Sequence, residues 1–319
     1  MKLILKKLTY IGFMLLLISI ISFGAINAAP NSFFGAGELN PNMTKEAIEK
    51  LKAVYGLDKS LFEQYVDWVK NLLTLNFGVS FVSGADVSSE ILKRLPVTLF
   101  MNMAALVGVF VISLYLGIKA ALRFEKKADY IIRQVSLFSF SMPNFYLALL
   151  FIILFSLKLD LFPISGLHSV EPKEGLANYA DMAWHLTLPV SVMLFGGLGS
   201  MIIYIRSLTL EILKSDYYYF ALSRGLSSKE LLRFYILPNL LPPIVTLLGL
   251  SLPGLIGGSV ILESIFGIEG MGQLFFMSAL SRDYPIIMGT LMITAFLTLL
   301  GNMVADLILL RLNPYMKRG

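Results

Sequence analysis

The chain has 319 residues, 56% of them hydrophobic and only 15% charged, with a mean hydropathy of +0.75. A soluble domain carries about 25% charged residues, and one core could not bury this much apolar surface, so the excess must face lipid. Cysteine is absent, which excludes disulfides, zinc–thiolate sites, iron–sulfur clusters and Cys nucleophiles; the net charge of +5 does not by itself point to nucleic acid, and the two histidines, His168 and His185, are too few and too scattered for a typical metal site.

A helix crossing about 30 Å of hydrocarbon needs about 20 apolar residues. Six stretches meet this, at 8–29, 97–122, 131–157, 183–205, 244–265 and 284–310. The first follows three lysines and ends in "INAAPNS", a pattern that a cleaved signal peptide shares. Its apolar run is longer than such a leader needs, and removal would leave five spans, so it is taken as a membrane helix, 1–29. The loop 30–96 follows as an extracytoplasmic helical segment. Within it "NPNMTKEAIEKLKAVYGL" predicts a short helix with Thr44 as N-cap, and "SLFEQYVDWVKNLLTL" a second, with Leu61, Tyr65, Trp68 and Leu72 on one side. "NFGVSFVSG" predicts a turn-rich strand or loop. The remaining residues, 97–319, form a five-helix core.

Six spans put both termini on one side, and basic residues choose it. Lys2, Lys6 and Lys7 lie at the N-terminus, Lys119, Arg123, Lys126, Lys127 and Arg133 in the loop after the second span, and Arg311, Lys317 and Arg318 at the C-terminus. Arg206, Lys214, Arg224, Lys229 and Arg233 lie on the same side, against only Lys158, Lys173 and Arg282 in the short opposite segments. Both termini are therefore expected in the cytoplasm.

The cytoplasmic segment 206–243 is not a span. Gly225 breaks its helical pattern, and a turn there calls for a positive φ that glycine accepts freely. Ser227 and Glu230, three apart, form a capping box, so a short helix is expected from Ser228 to about Ile236, ended by Pro238. Its apolar side, Leu231, Leu232 and Tyr235, suits insertion into a partner's groove or a place on the membrane surface. In the fifth span, Pro253 invites a kink, and Gly254 and Gly258 let helices approach closely, either as a reshaping pathway helix or as plain packing. Glu263 near the outer end of that span, and Asn302 with Asp306 on one face of the last span, are ionisable or polar groups at membrane depth. Each reads either as a gate bond or as an interfacial group. His185, beside Trp184, reads as an interfacial anchor.

Several collinear segments resemble the permease subunit of peptide and nickel ABC importers, the dipeptide/oligopeptide permease B-type family, over nearly the whole chain. They are "YGLDKSLFEQYVDWVKNLLTLNFGVSF", "ILKRLPVTL", "SFSMPNFYLALLFIILFSLKLDLFPISG", "DYYYFALSRGLSSKELLRFYILPNLLPPIVT", "ESIFGIEGMGQLF" and "RDYPIIMG". Departures include Tyr219 and Phe220 where permeases in general carry Glu-Ala, Glu269 where proline is common, and Asn313 where Asp is common.

The resemblance implies an all-α polytopic membrane protein with the six-helix type I ABC importer architecture, in a bacterial inner membrane. It implies a second related permease, two ATPase subunits and an extracytoplasmic substrate-binding protein as partners, besides membrane lipid. Asp216, Ala221, Arg224, Gly225, Ser227, Ser228 and Lys229 would form the ATPase docking surface; the bland alternative is a solvated loop. No G-x-x-x-x-G-K-[ST] occurs, so ATP and magnesium belong to partner subunits and this chain binds no cofactor and is no enzyme. The expected substrates are di- or oligopeptides, with nickel or a metal chelate as the alternative. An ion-coupled secondary transporter would show inverted repeats and mid-span charges, which are not seen.

Overall fold

The computed structural model describes residues 2–28, 59–171, 173–251, 254 and 259–312. The helix expected around Thr44, together with Pro253, Gly258 and Asn313, lies outside them. Among the described residues the chain is helical, with a single isolated β-bridge between Val79 and Asp86. In order the helices are α1 (Lys2–Ala28), α2 (Leu61–Leu73), α3 (Val87–Leu122), α4 (Lys127–Ser141) and α5 (Asn144–Lys158). Then follow α6 (Leu176–Leu213), α7 (Asp216–Ser223), α8 (Ser228–Ser251), α9 (Val260–Phe266), α10 (Met271–Ser281) and α11 (Tyr284–Leu312). Five of them are long and apolar enough to cross a membrane; counting α4–α5 and α9–α10 as one span each raises the number to seven, which brackets the expected six.

Two expectations are corrected. The third span is not one straight helix: it bends by 107° at Met142–Pro143, between α4 and α5. Proline restricts the residue before it to extended backbone, and Met142 sits at φ −91°, ψ 127°. The short helix after Gly225 does not stop at Pro238. It passes through a π-helical turn at Leu232–Ile236 and continues to Ser251. A π turn widens the helix at the carbonyls a following proline ring would strike, so Pro238 is carried. Within the fifth span, expected at 244–265, α8 is described to Ser251 and α9 from Val260.

The chain separates into two compact units, Met1–Val97 with Glu269–Leu300, and Thr98–Ile268 with Gly301–Gly319. In the first, the expected helix over 60–75 forms as α2. Ser60 caps it, its hydroxyl accepting from the Glu63 amide, while the Ser60 N–H and hydroxyl donate to the Glu63 carboxylate. Tyr65 packs edge-on against Phe23 of α1 at 5.3 Å and shares a hydrogen bond with Ser19. Asp283 is buried and accepts from the Ser80 hydroxyl (2.5 Å) and the Phe81 amide (3.0 Å), which ties the segment before α3 to the start of α11. Val87, Ile91, Met271, Leu274 and Ile286 form the core of this unit.

In the second unit α6 is the hub. Its core partners are Phe110 and Ile118 of α3 and Ile236, Leu240 and Ile244 of α8, packed on Ile205 and Ile212. A Cβ on Gly117 would meet Ile205 Cγ2 at 2.7 Å, and one on Gly199 would meet the Phe140 amide nitrogen at 2.6 Å. Glycine thus brings α3 and α4 against α6 at backbone distance, as close membrane packing requires. Of the pair Gly254 and Gly258, for which the sequence suggests such approach, only Gly254 is among the described residues. That residue is exposed, and a Cβ there would meet nothing within 4 Å.

Candidate functional site

The segment between α6 and α8 is built by local chemistry. Helix α6 closes at Lys214, and α7 begins at Asp216. Arg224 ends α7 and Gly225 follows at φ +77°, the left-handed region expected from the sequence. Ser227 then caps α8: its amide and hydroxyl reach a Glu230 carboxylate oxygen at 2.8 and 2.7 Å, and the Glu230 amide returns to the Ser227 hydroxyl at 3.4 Å. This is the capping box read from the spacing.

What the segment presents differs from the sequence reading in two respects. Asp216, Arg224, Gly225, Ser227, Ser228 and Lys229 are exposed, but Ala221 is fully buried, so it supports the surface from below. The apolar side of the short helix is turned inward: Leu231 is buried, and Leu232 packs on the α3–α6–α8 core. Tyr217, Tyr219, Phe220 and Leu222 of α7 and Phe234 of α8 are exposed instead, and the Arg224 guanidinium lies 5.9 Å from the Phe220 ring. The face is thus aromatic and mixed in charge. Tyr219 and Phe220, which in the sequence are departures from the permease pattern, form part of this exposed face.

At the root of this segment Arg206 meets Asp129. Nε and Nη2 of the arginine donate to the two carboxylate oxygens at 2.6 and 2.7 Å, and the Glu125 amide adds a bond of 3.0 Å. Asp129 is buried, and the guanidinium lies 5.4 Å from the Phe124 ring. The sequence pointed to neither residue as a partner, because Asp129 stands among basic residues and 77 positions separate the pair.

Glu263 is a second buried centre. Its side chain is completely enclosed. Oε1 accepts from the Thr98 hydroxyl at 2.9 Å and the Ser259 hydroxyl at 2.6 Å, and Asn102 donates to Ser259 at 3.1 Å and to the Thr98 carbonyl at 2.8 Å. The network staples α9 to α3, so Glu263 is an interior group, not an interfacial one. Of the other gate candidates, Asn302 is half-buried and Asp306 exposed on α11.

A third cluster ties down the segment that precedes α6. Asp181 on α6 accepts from the Ser169 amide (2.7 Å), the Ser169 hydroxyl (2.6 Å) and Lys173 (2.6 Å). The Gly166 amide donates to the Phe266 carbonyl at 2.8 Å. Both histidines approach Asp181 Oδ2, His168 at 3.8 Å and His185, one helical turn on, at 3.9 Å, and His185, expected as an interfacial anchor, is buried. Among the described residues no group of His, Asp and Glu is arranged to hold a metal ion.

The family description "binding-protein-dependent transport system inner membrane component" matches residues 113–318, and the N-terminal counterpart of such membrane components matches 1–102. The chain is 35% identical over 301 residues to the oligopeptide transport system permease protein AppB of Bacillus subtilis, covering 94% of each chain. It is 34% identical over 272 residues to the nickel import system permease protein NikB of Staphylococcus aureus, covering 85% of this chain and 78% of that one. Among solved structures, a chain of the MetNI methionine ABC transporter in inward-facing conformations aligns with a TM-score of 0.53 at 16% identity, over 70% of this chain and 96% of that one. At that identity the likeness speaks for the fold.

Proposed function

We infer the function of this chain from its family: it belongs to the binding-protein-dependent transport system inner membrane components, and is a transmembrane permease subunit of an ABC importer. It is a multi-pass inner-membrane protein of type I importer fold and not an enzyme; ATP hydrolysis lies in separate subunits, and an external binding protein supplies substrate. The proposal concerns what it carries and how it is driven. Its substrates are di- or oligopeptides. The observation that carries this is the match to an oligopeptide permease over 94% of both chains, against a nickel permease matched over 78% of its length.

The chain forms half of the pathway with a second, related permease. Both termini and the segment 206–243 face the cytoplasm, where two ATPases that hold ATP and magnesium dock. Exposed Asp216, Arg224, Ser227, Ser228 and Lys229, with Tyr217, Tyr219 and Phe220, form the docking face, presented at an angle that Gly225 sets. The Glu263 staple and Asn302 with Asp306 belong to the gates. This chain itself binds no cofactor.

The test is reconstitution of the permease pair, the ATPases and the binding protein in proteoliposomes. Peptide should stimulate ATP hydrolysis and accumulate inside; the chain alone should hydrolyse nothing. Stimulation by a nickel chelate and not by peptide would replace the substrate class. Robust hydrolysis by the chain alone would sink the proposal.

A further inference from the structure

We infer that Asp129 and Arg206 are positioning residues that fasten α4 to α6 as one lever, so that movement of the docking segment is carried into the bend at Met142–Pro143. This rests on the reading of 206–243 as the face that ATPases move.

The geometry is that of two antiparallel rods joined along their length. At one end lies the bidentate Asp129–Arg206 pair. In the middle, Gly199 sits on the Ser136 carbonyl and the Phe140 amide, with no room for a side chain. At the far end the Ser139 hydroxyl donates to the Phe195 carbonyl, and Gly196 lies against the Asn144 side chain just past the bend. Helix α6 is unbroken from Phe195 through Leu213. At 1.5 Å per residue, Arg206 stands about 10 Å from the end at which α7 begins. The Gly199 and Gly196 contacts are steric and set distance only, and the Ser139 hydrogen bond is a single bond about which the helices can still turn. The guanidinium–carboxylate fork fixes direction as well, because both of its bonds break when either helix slides or rolls. Two further contacts hold the fork. The Glu125 amide secures the carboxylate from its own side, and the Phe124 ring lies beneath the guanidinium. A displacement at the docking segment therefore reaches α4 as a rigid-body motion, and α4 ends at the 107° bend where α5 begins.

The test uses the full transporter in proteoliposomes and compares uptake with ATP hydrolysed. Asp129→Asn and Arg206→Gln should keep assembly and hydrolysis within about twofold, yet lower peptide uptake per ATP at least tenfold. The Asp129→Arg/Arg206→Asp double variant should regain a large part of it. A pair needed only for folding would lower abundance and leave the ratio alone, and an unchanged ratio in both single variants overturns the inference. Because the chain has no cysteine, Asp129→Cys/Arg206→Cys gives a second arm should the single variants assemble poorly. Bridging the two thiols with a short bifunctional reagent should restore the ratio that the unbridged pair loses; a bridge that stops uptake would show the pair opening during transport and overturn the lever. Should the wild-type assembly take up no peptide at all, the substrate class fails, and the lever is read without substrate. Spin labels at the exposed positions Tyr130 on α4 and Glu211 on α6 should keep one distance through ATP binding in the wild type and a changed one in Asp129→Asn. A nucleotide-driven change in the wild type overturns it.

Discussion

Replacing Gly225 separates backbone strain from packing unusually cleanly. The residue sits at φ +77°, and a Cβ built on it meets nothing within 4 Å. A side chain there costs no clash, so the cost is the left-handed conformation alone, about 1–2 kcal/mol for an ordinary L-residue. That corresponds to roughly a 5–30-fold loss of the population holding the native turn. Asparagine, which tolerates this region, should lose least; valine, stiff at χ1, should lose most among residues that can reach it. Proline cannot reach it at all, since its ring holds φ near −65°, and it also removes the amide that donates to the Leu222 carbonyl at 3.0 Å. The assay is peptide uptake and recovery of ATPase subunits, each divided by the amount of chain in the membrane. Membrane abundance should stay close to wild type, because the helices of the α3–α6–α8 core do not pass through this turn. Uptake should fall in the order Asn, Ala, Val, Pro. Wild-type uptake and ATPase recovery with Gly225→Val would show that the angle set by this turn does not matter to docking.

Other variants test the remaining parts. Ser227→Ala removes the cap of α8 and should cost about 0.5–2 kcal/mol locally, seen as faster amide exchange over Ser228–Leu231; unchanged exchange would deny the cap its role. Glu263→Ala leaves the Thr98 and Ser259 hydroxyls without their shared acceptor, a cost of about 1–3 kcal/mol, and should lower the detergent melting temperature more than Glu263→Gln does. Equal melting of the two variants would mean that the network does not depend on an acceptor at that position. Gly199→Leu forces a side chain into the α4–α6 contact and should sharply reduce membrane abundance, whereas Gly254→Leu, in open space, should leave it near wild type. A single cysteine at Ser228 should react with impermeant reagents only from the cytoplasmic side; labelling from outside would reverse the proposed topology.

What was legible in the sequence was local. The Gly225 turn, the Ser227–Glu230 box and the Leu61–Leu73 helix depend on residues within four positions of one another, and hydropathy alone marks most of the membrane helices. What was not legible came from pairing across distance. Nothing near Asp129 announces Arg206, and nothing near Ser80 announces Asp283. The error about the short helix has the same origin. Its apolar side was visible, but whether Leu231 and Leu232 face a partner or the chain's own core depends on where Ile205 and Ile212 lie, which is a tertiary fact. The proline errors are opposite in sign and equally instructive. Pro143 breaks a span because the residue before it turns extended, whereas Pro238 is absorbed because a π turn comes immediately before it. Sequence shows the proline and not the turn that accommodates it.

The buried carboxylates share one construction, and it explains why they are where they are. Asp129, Asp181, Glu263 and Asp283 are each almost fully enclosed, and each accepts at least two hydrogen bonds from elsewhere in its own unit. In a chain that faces lipid, apolar contacts do not favour one helix neighbour over another, since hydrocarbon offers the same contact. A carboxylate does discriminate. Left without its donors it would carry the cost of a buried charge, several kcal/mol even after relaxation, so only one arrangement of the helices and loops around it is tolerable. Asp283 selects the position of the 80–82 segment against α11, Asp181 the course of the segment before α6, Glu263 the contact of α9 with α3, and Asp129 the register of α4 on α6. The apolar residues make the chain a membrane protein; these four decide which segments touch. Changing any one to alanine should therefore disturb a single contact and leave the rest of the hydrophobic architecture in place, whereas four comparable apolar truncations would be spread and partly refilled by lipid.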